Sequence, residues 1–283
     1  PDLESFHIKR SLVRKDNEYI YVPHDVNSPN LTFRKEALDH FDTIFSSGYL
    51  CTEELRKREE MYHLPQKNIV PWGSGVIDNM IQSYEKMEKR KKTAKQILIA
   101  PSWQKDNILS SCIEEILDSL DGLGYNIIVR PHPQFVRHEA GRLEQLRQKY
   151  QMDSRSDMEL QTDFSSNNTV YEADLVITDW SSIAFEYSFA TLKPALFINT
   201  PMKVMNEDYK ELGITPIDVE LRSEIGKSID LDNLKALPEV VHELLSSNQF
   251  SSDSLKAIRE KYIYNIGASS QAGGDYIIER LHY

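Results

Sequence analysis

From residue 96 onward, short apolar runs alternate with stretches of helical period. "QILIAPS" (96–102) precedes "ILSSCIEEILDSL", in which Ile108, Cys112, Ile113, Ile116, Leu117 and Leu120 share one face. "GYNIIVRPH" (124–132) precedes "EAGRLEQLRQKY", and "ADLVITDW" (173–180) precedes "SSIAFEYSFATL". "KPALFINTP" (193–201) closes the series. Nearly continuous apolar strands separated by helices predict a parallel sheet covered on both faces. Residues 96–265 are therefore expected to form a doubly wound, Rossmann-like domain.

Residues 1–80 are more broken. "YIYVPH" (19–24), "TIFSSG" (43–48) and "NIVPWGSG" (68–75) read as strand ends, with "CTEELRKREEMYHL" helical between the last two. Three strands make a thin sheet, so this half is expected to be an incomplete second Rossmann-like domain. A polar, lysine-rich stretch (81–95) reads as the link. Helices at about 232–247, 252–264 and 270–283 finish the chain, and the segment 266–283 is expected to pack back on the N-terminal half. The fold class is α/β.

Composition narrows the function classes. The chain has 283 residues, 40% of them hydrophobic, enough for one large or two ordinary domains. No apolar run approaches the roughly 18 residues needed to span a bilayer, and no signal-peptide pattern opens the chain. The two cysteines, Cys51 and Cys112, fit a reducing, cytoplasmic compartment and lack paired metal spacing. A net charge of −11 argues against nucleic acid as a partner. "EKMEKRKKTAK" (85–95) is the local exception. It reads either as a solvated linker helix or as a patch for anionic headgroups at the inner face of a membrane. The first residues, "PDLESF", carry no methionine, as a piece of a longer protein would.

Chemistry concentrates where the predicted strands end. One strand ends in Ser102 and Trp103, another in Arg130 and His132, and a third in Thr178, Asp179, Trp180, Ser181 and Ser182. Sites in open parallel sheets form at these carboxyl ends. His132 lies between Pro131 and Pro133, which hold it and Arg130 extended. That histidine either caps a turn or is held for chemistry. Ser181 and Ser182 stand where a helix begins, so they are either ordinary caps or part of a phosphate site. There is no Walker A sequence and no G-x-G-x-x-G, and "DLD" (230–232) lies outside the strand ends.

"TDWSSIAFEYSFATLKPALF", "RPHP" and "APSW", in this arrangement along the chain, resemble the CDP-glycerol glycerophosphotransferase family. The resemblance covers roughly residues 15–283 and implies a GT-B scaffold of two facing Rossmann-like domains. The family's tryptophan-histidine-glycine motif has its counterpart in "YVPHDV", which gives His24, with Pro23 and Asp25 in place of the neighbours. Gln104 stands where the family commonly has arginine.

The resemblance implies transfer of glycerol phosphate, or a similar alcohol phosphate, from a CDP-alcohol to an acceptor hydroxyl, with release of CMP. His24 and His132 would be catalytic. Arg130, Ser102, Trp103, Thr178, Asp179, Ser181, Ser182 and Glu186 would hold the donor. Glu186 is either a ribose ligand or a salt-bridged structural glutamate. No metal and no cofactor beyond the CDP-alcohol is expected. The expected acceptor is a polymer or lipid-linked hydroxyl, and the chain is expected to belong to a larger polymerase. Two other readings stay open at this point: a GT-B glycosyltransferase or sugar-nucleotide epimerase, and a non-catalytic binding domain.

Overall fold

The computed structural model describes residues 11, 13, 16–88 and 92–281. His7, His282 and, from the basic stretch, Lys89, Arg90 and Lys91 lie outside the described residues. No helix among the described residues is long and apolar enough to cross a membrane.

The apolar runs form two parallel sheets. β1 (Ile20–Tyr21), β2 (Thr43–Ser46) and β3 (Asn68–Pro71) pair in that order. The second sheet contains β4 (Gln96–Ile99), β5 (Asn126–Val129), β6 (Met158–Leu160), β7 (Leu175–Thr178), β8 (Ala195–Asn199) and β9 (Gly226–Asp230). Its order is β6-β5-β4-β7-β8-β9, and every pairing is parallel. The sequence pattern misses β6 and β9, which lie at the two edges. Their "MEL" and "GKSID" keep exposed polar residues, so the continuous apolar signal of a doubly covered strand is absent.

The faces of the larger sheet separate by alternation. Ile97, Ile99, Ile127, Val129, Leu175 and Ile177 share one core with Ile116, Leu117, Leu143 and Val241 from three helices. On the other face, Phe197 of β8 meets Phe185 of the Ile183–Thr191 helix, with ring centroids 6.5 Å apart. The expected single helix after β4 breaks at Cys112 (φ −149°, ψ 11°), giving Ile108–Ser111 and Ile113–Leu120. All six residues of the expected apolar stripe are nonetheless buried.

The chain divides into two compact units, and the division is discontinuous. The first takes residues up to Gln82, Lys203–Glu220 and Ala257 onward; the second takes Ser83–Met202 and Leu221–Lys256. The expected boundaries at 80, 96 and 265 therefore shift, and 203–220 leaves the C-terminal domain in which the pattern placed it. Hydrogen bonds explain this transfer. Met205 N–H donates to Leu31 O at 3.0 Å, Asn206 Nδ2 to Asn30 O at 2.9 Å, and Asn30 Nδ2 to Tyr209 O at 3.0 Å. Polar pairing of this kind leaves no periodic trace in a sequence. Residues 81–86, expected in the linker, complete the Gly75–Lys86 helix.

The C-terminal helix, Ser269–Leu281, is fixed within the first unit. Asp78 accepts the N–H groups of Gly267 (2.7 Å) and Ser269 (2.9 Å), and Asn68 Nδ2 donates to Tyr276 Oη (2.6 Å). Gly48, between β2 and the Tyr49–Met61 helix, is equally constrained: a Cβ there would stand 1.8 Å from the Tyr262 carbonyl oxygen. Backbone cannot yield as a side-chain tip can. Gly48→Ala is expected to cost about 1–3 kcal/mol, the scale of overpacking. The check is urea unfolding, where the midpoint should fall with the slope unchanged.

Candidate functional site

The strand order places the topological switch between β4 and β7, so the segments following both strands share one rim. Thr178 closes β7 and donates from Oγ1 to Ala100 O at 2.5 Å. Asp179 follows and is fully buried. Its Oδ1 accepts the N–H groups of Ser102 (2.8 Å) and Trp180 (2.9 Å), while Oδ2 accepts the N–H of Ile108 (3.0 Å). One carboxylate thus fastens the β4 loop, the β7 turn and the start of a helix. Thr178 and Asp179 shape the rim; their side-chain oxygens are turned to protein partners.

Ser181 and Ser182 lead into the Ile183–Thr191 helix. Ser182 makes no side-chain cap, and its hydroxyl donates instead to Glu186 Oε1 at 3.0 Å. The N–H groups of Ala184, Phe185 and Glu186 return to Ser181 and Ser182 carbonyls. The N–H groups of Ser181 and Ser182 precede them and have no acceptor among the described residues. Ser102, whose N–H is held by the same Asp179, is 2% exposed, and its hydroxyl has no hydrogen-bond partner among the described residues. Buried hydroxyls are rarely left so, and a ligand is one way to satisfy them.

Trp103, 38% exposed, extends the rim. His132 stacks on it at 6.1 Å and 20°, His138 at 6.0 Å and 27°, and Phe135 meets it edge-on at 4.7 Å. His132 is the N-cap of the Pro133–His138 helix, its Nδ1 accepting Gln134 N–H at 3.2 Å. In the neutral ring this puts the proton on Nε2. Capping and an exposed ring coexist here. Arg130, by contrast, is engaged by protein acceptors. Its guanidinium reaches Gln161 Oε1 (2.8 Å), Ser166 O (3.0 Å), Thr169 Oγ1 (3.2 Å) and Asn167 Oδ1 (2.9 Å), and it lies 5.2 Å from the Phe164 ring centroid. It holds the loop after β6.

The first unit carries His24, with an 82% exposed side chain whose Nε2 is 3.7 Å from Asp25 Oδ2. Close by, two carboxyls converge on Ser28. Glu54 Oε2 accepts from Ser28 Oγ (2.7 Å) and Asn30 N–H (3.2 Å); Asp218 Oδ2 accepts Ser28 N–H (2.6 Å). Burial pushes Glu54 up to about 8 and Asp218 up to about 7, and it also raises Asp25. Sequence reading missed this group, since Glu54 lies in the charged run "TEELRKREE" and nothing there marks it as 2% exposed. Among the described residues, no group of three or more His, Cys, Asp or Glu is disposed to hold a metal ion.

Comparison with known proteins decides the family. Residues 24–277 match the model of CDP-Glycerol:Poly(glycerophosphate) glycerophosphotransferase. The chain belongs to this glycerophosphotransferase family. It is 23% identical over 240 residues to the teichoic acid ribitol-phosphate primase of Bacillus spizizenii (strain ATCC 23059 / NRRL B-14472 / W23), covering 77% of this chain and 55% of the primase. The chain therefore spans about half the length of that curated relative. Among solved structures it is similar to the wall teichoic acid polymerase TagF (TM-score 0.58, 15% identity, 95% of this chain and 69% of that one). A TagF variant soaked with CDPG gives the same TM-score at 14% identity, over 98% and 71% of the two chains. At this identity the likeness shows the fold, which is GT-B-like.

Two outcomes follow for this glycerophosphotransferase-family chain. Asp179→Asn replaces one acceptor oxygen with a donor, and a buried N–H left unsatisfied costs about 1–3 kcal/mol. Its melting temperature should fall accordingly. Glu54 and Asp218 are protonated more readily folded than unfolded, so stability present at low pH is lost as pH rises through about 8 and about 7 respectively. Glu54→Gln removes the first contribution. Its melting temperature should gain on the wild type's from pH 5 to pH 8.5; a pH-independent difference would refute the assignment.

Proposed function

We propose that this chain is the transferase portion of a polyol-phosphate polymerase or primase. It moves glycerol phosphate, or a similar alcohol phosphate, from a CDP-alcohol to an acceptor hydroxyl in teichoic acid or capsule synthesis. The observation that carries this reading is the Thr178–Ser182 turn at the switch point, in a chain of this family: among the described residues the Ser181 and Ser182 N–H groups have no acceptor, and the Ser181 hydroxyl only accepts, from Ile183 N–H. A helix N-terminus with these donors suits a diphosphate. Charge developing on phosphate oxygens would meet dipoles already in place.

The chemistry is a single displacement. The acceptor oxygen bonds to the β-phosphorus, the bond from that phosphorus to the bridging oxygen breaks, and CMP leaves with the electron pair. His24, whose side chain is 82% exposed, takes the acceptor proton as general base. His132, donating from Nε2, meets the phosphates at a position fixed by its prolines and by the Gln134 N–H. Trp103 supports that ring by stacking. Arg130 keeps a structural duty toward the 161–169 loop, and Glu186 holds Ser182. No cofactor beyond the donor is proposed. The acceptor is a polymer or lipid-linked hydroxyl, and contact with an anionic membrane surface belongs to the same proposal.

The test is CMP release from CDP-glycerol and CDP-ribitol with candidate acceptors, using the full protein. His24→Ala and His132→Ala should each lower turnover by about 10²-fold, the scale of an acid–base group, without unfolding. Ser181→Ala should weaken donor binding, its hydroxyl contributing about 1 kcal/mol. Full activity in both histidine variants, or no CMP release from any CDP-alcohol, would refute the proposal.

A further inference from the structure

We propose that Arg222 is a positioning residue of the donor site, a role the sequence patterns did not suggest. This rests on the reading of the Thr178–Ser182 turn given above. Arg222 lies on the Ile217–Ile225 helix and is 6% exposed. Its Nη1 donates to Asp179 O at 2.6 Å and its Nη2 to Asn199 Oδ1 at 2.6 Å. The guanidinium carbon lies 4.1 Å from the Trp180 ring centroid and 4.4 Å from that of Phe197. Trp180 is itself fixed by Nε1 donating to Thr200 O at 2.8 Å.

The consequence lies in one peptide group. Between Asp179 and Trp180, the N–H is held by Asp179 Oδ1 and the C=O by Arg222 Nη1. With both ends fastened, the peptide plane cannot turn. The next two peptide groups carry the Ser181 and Ser182 N–H groups, so the turn that presents them starts from a fixed plane. Asn199 passes the restraint on, its Nδ2 donating to Asp230 Oδ1 at 2.6 Å. Arg222 thereby orients the turn.

Burying a cation costs several kcal/mol unless its bonds are well made, and an apolar side chain would often pack as stably. What an apolar replacement cannot do is hold the carbonyl. A lysine could reach one acceptor, but it lacks the planar fork that spans Asp179 O and Asn199 Oδ1 close to two rings. The geometry therefore favours a duty of orientation over one of filling space. Small errors in such orientation cost binding and rate steeply.

The experiment measures the Kd of CDP-glycerol by calorimetry for wild type, Arg222→Lys and Asn199→Ala, with melting temperatures recorded for each. Arg222→Lys should stay folded and bind about tenfold more weakly, the equivalent of about 1.4 kcal/mol. Asn199→Ala frees only one arm of the fork and should weaken binding by about threefold, less than Arg222→Lys. KM for the donor should rise with Kd. A folded Arg222→Lys with unchanged Kd would overturn the proposal, whatever its melting temperature. If Arg222→Lys does not fold, Asn199→Ala decides the matter: unchanged Kd overturns it. A wild-type protein that binds no CDP-glycerol removes the donor-site reading itself and this proposal with it.

Discussion

A single carboxylate organises the second unit. Asp179 is fully buried and accepts three backbone N–H groups, from Ser102, Trp180 and Ile108. A carboxylate is acceptor-only, so it suits a place where several backbone donors converge. Two loops and a helix start depend on it. The Ser181 and Ser182 N–H groups are consequently presented at the switch point. The parallel sheet brings strand ends to one rim, and Asp179 determines what that rim offers a ligand.

Much of this architecture could be read from sequence. β4, β5, β7 and β8 are announced by apolar runs because both of their faces are covered, and the helices between them by their stripes. The proline-flanked His132 and the Thr178–Ser182 stretch marked the rim for the same reason: they follow those strands directly. Less legible was whatever depends on polar pairing over long separations. The edge strands β6 and β9, the transfer of 203–220 to the first unit, Glu54 and Arg222 all belong to this class. Arg222 follows buried Leu221 in a short amphipathic helix, where an arginine ordinarily faces water. Arg130 is a different case. Its place at a strand end suggested a phosphate ligand, yet four acceptors of the 161–169 loop engage it.

The first unit combines an exposed imidazole with a half-hidden acidic neighbourhood. Asp25 is adjacent to His24 in the chain, and burial discourages its ionisation. Glu54 and Asp218, joined through Ser28, are raised by the same cause. Raised carboxyls gather less negative charge than their number implies. The segment 203–220 supplies one of them, so its membership of this unit has chemical as well as architectural weight.

The central claim is that the turn after β7 receives the diphosphate. A crystal structure of the protein with CDP-glycerol tests it most directly. The diphosphate oxygens should lie within hydrogen-bond distance of the Ser181 and Ser182 N–H groups, with Arg222 untouched by the ligand. A diphosphate seated on Arg130, or away from the β4 and β7 strand ends altogether, would contradict the account.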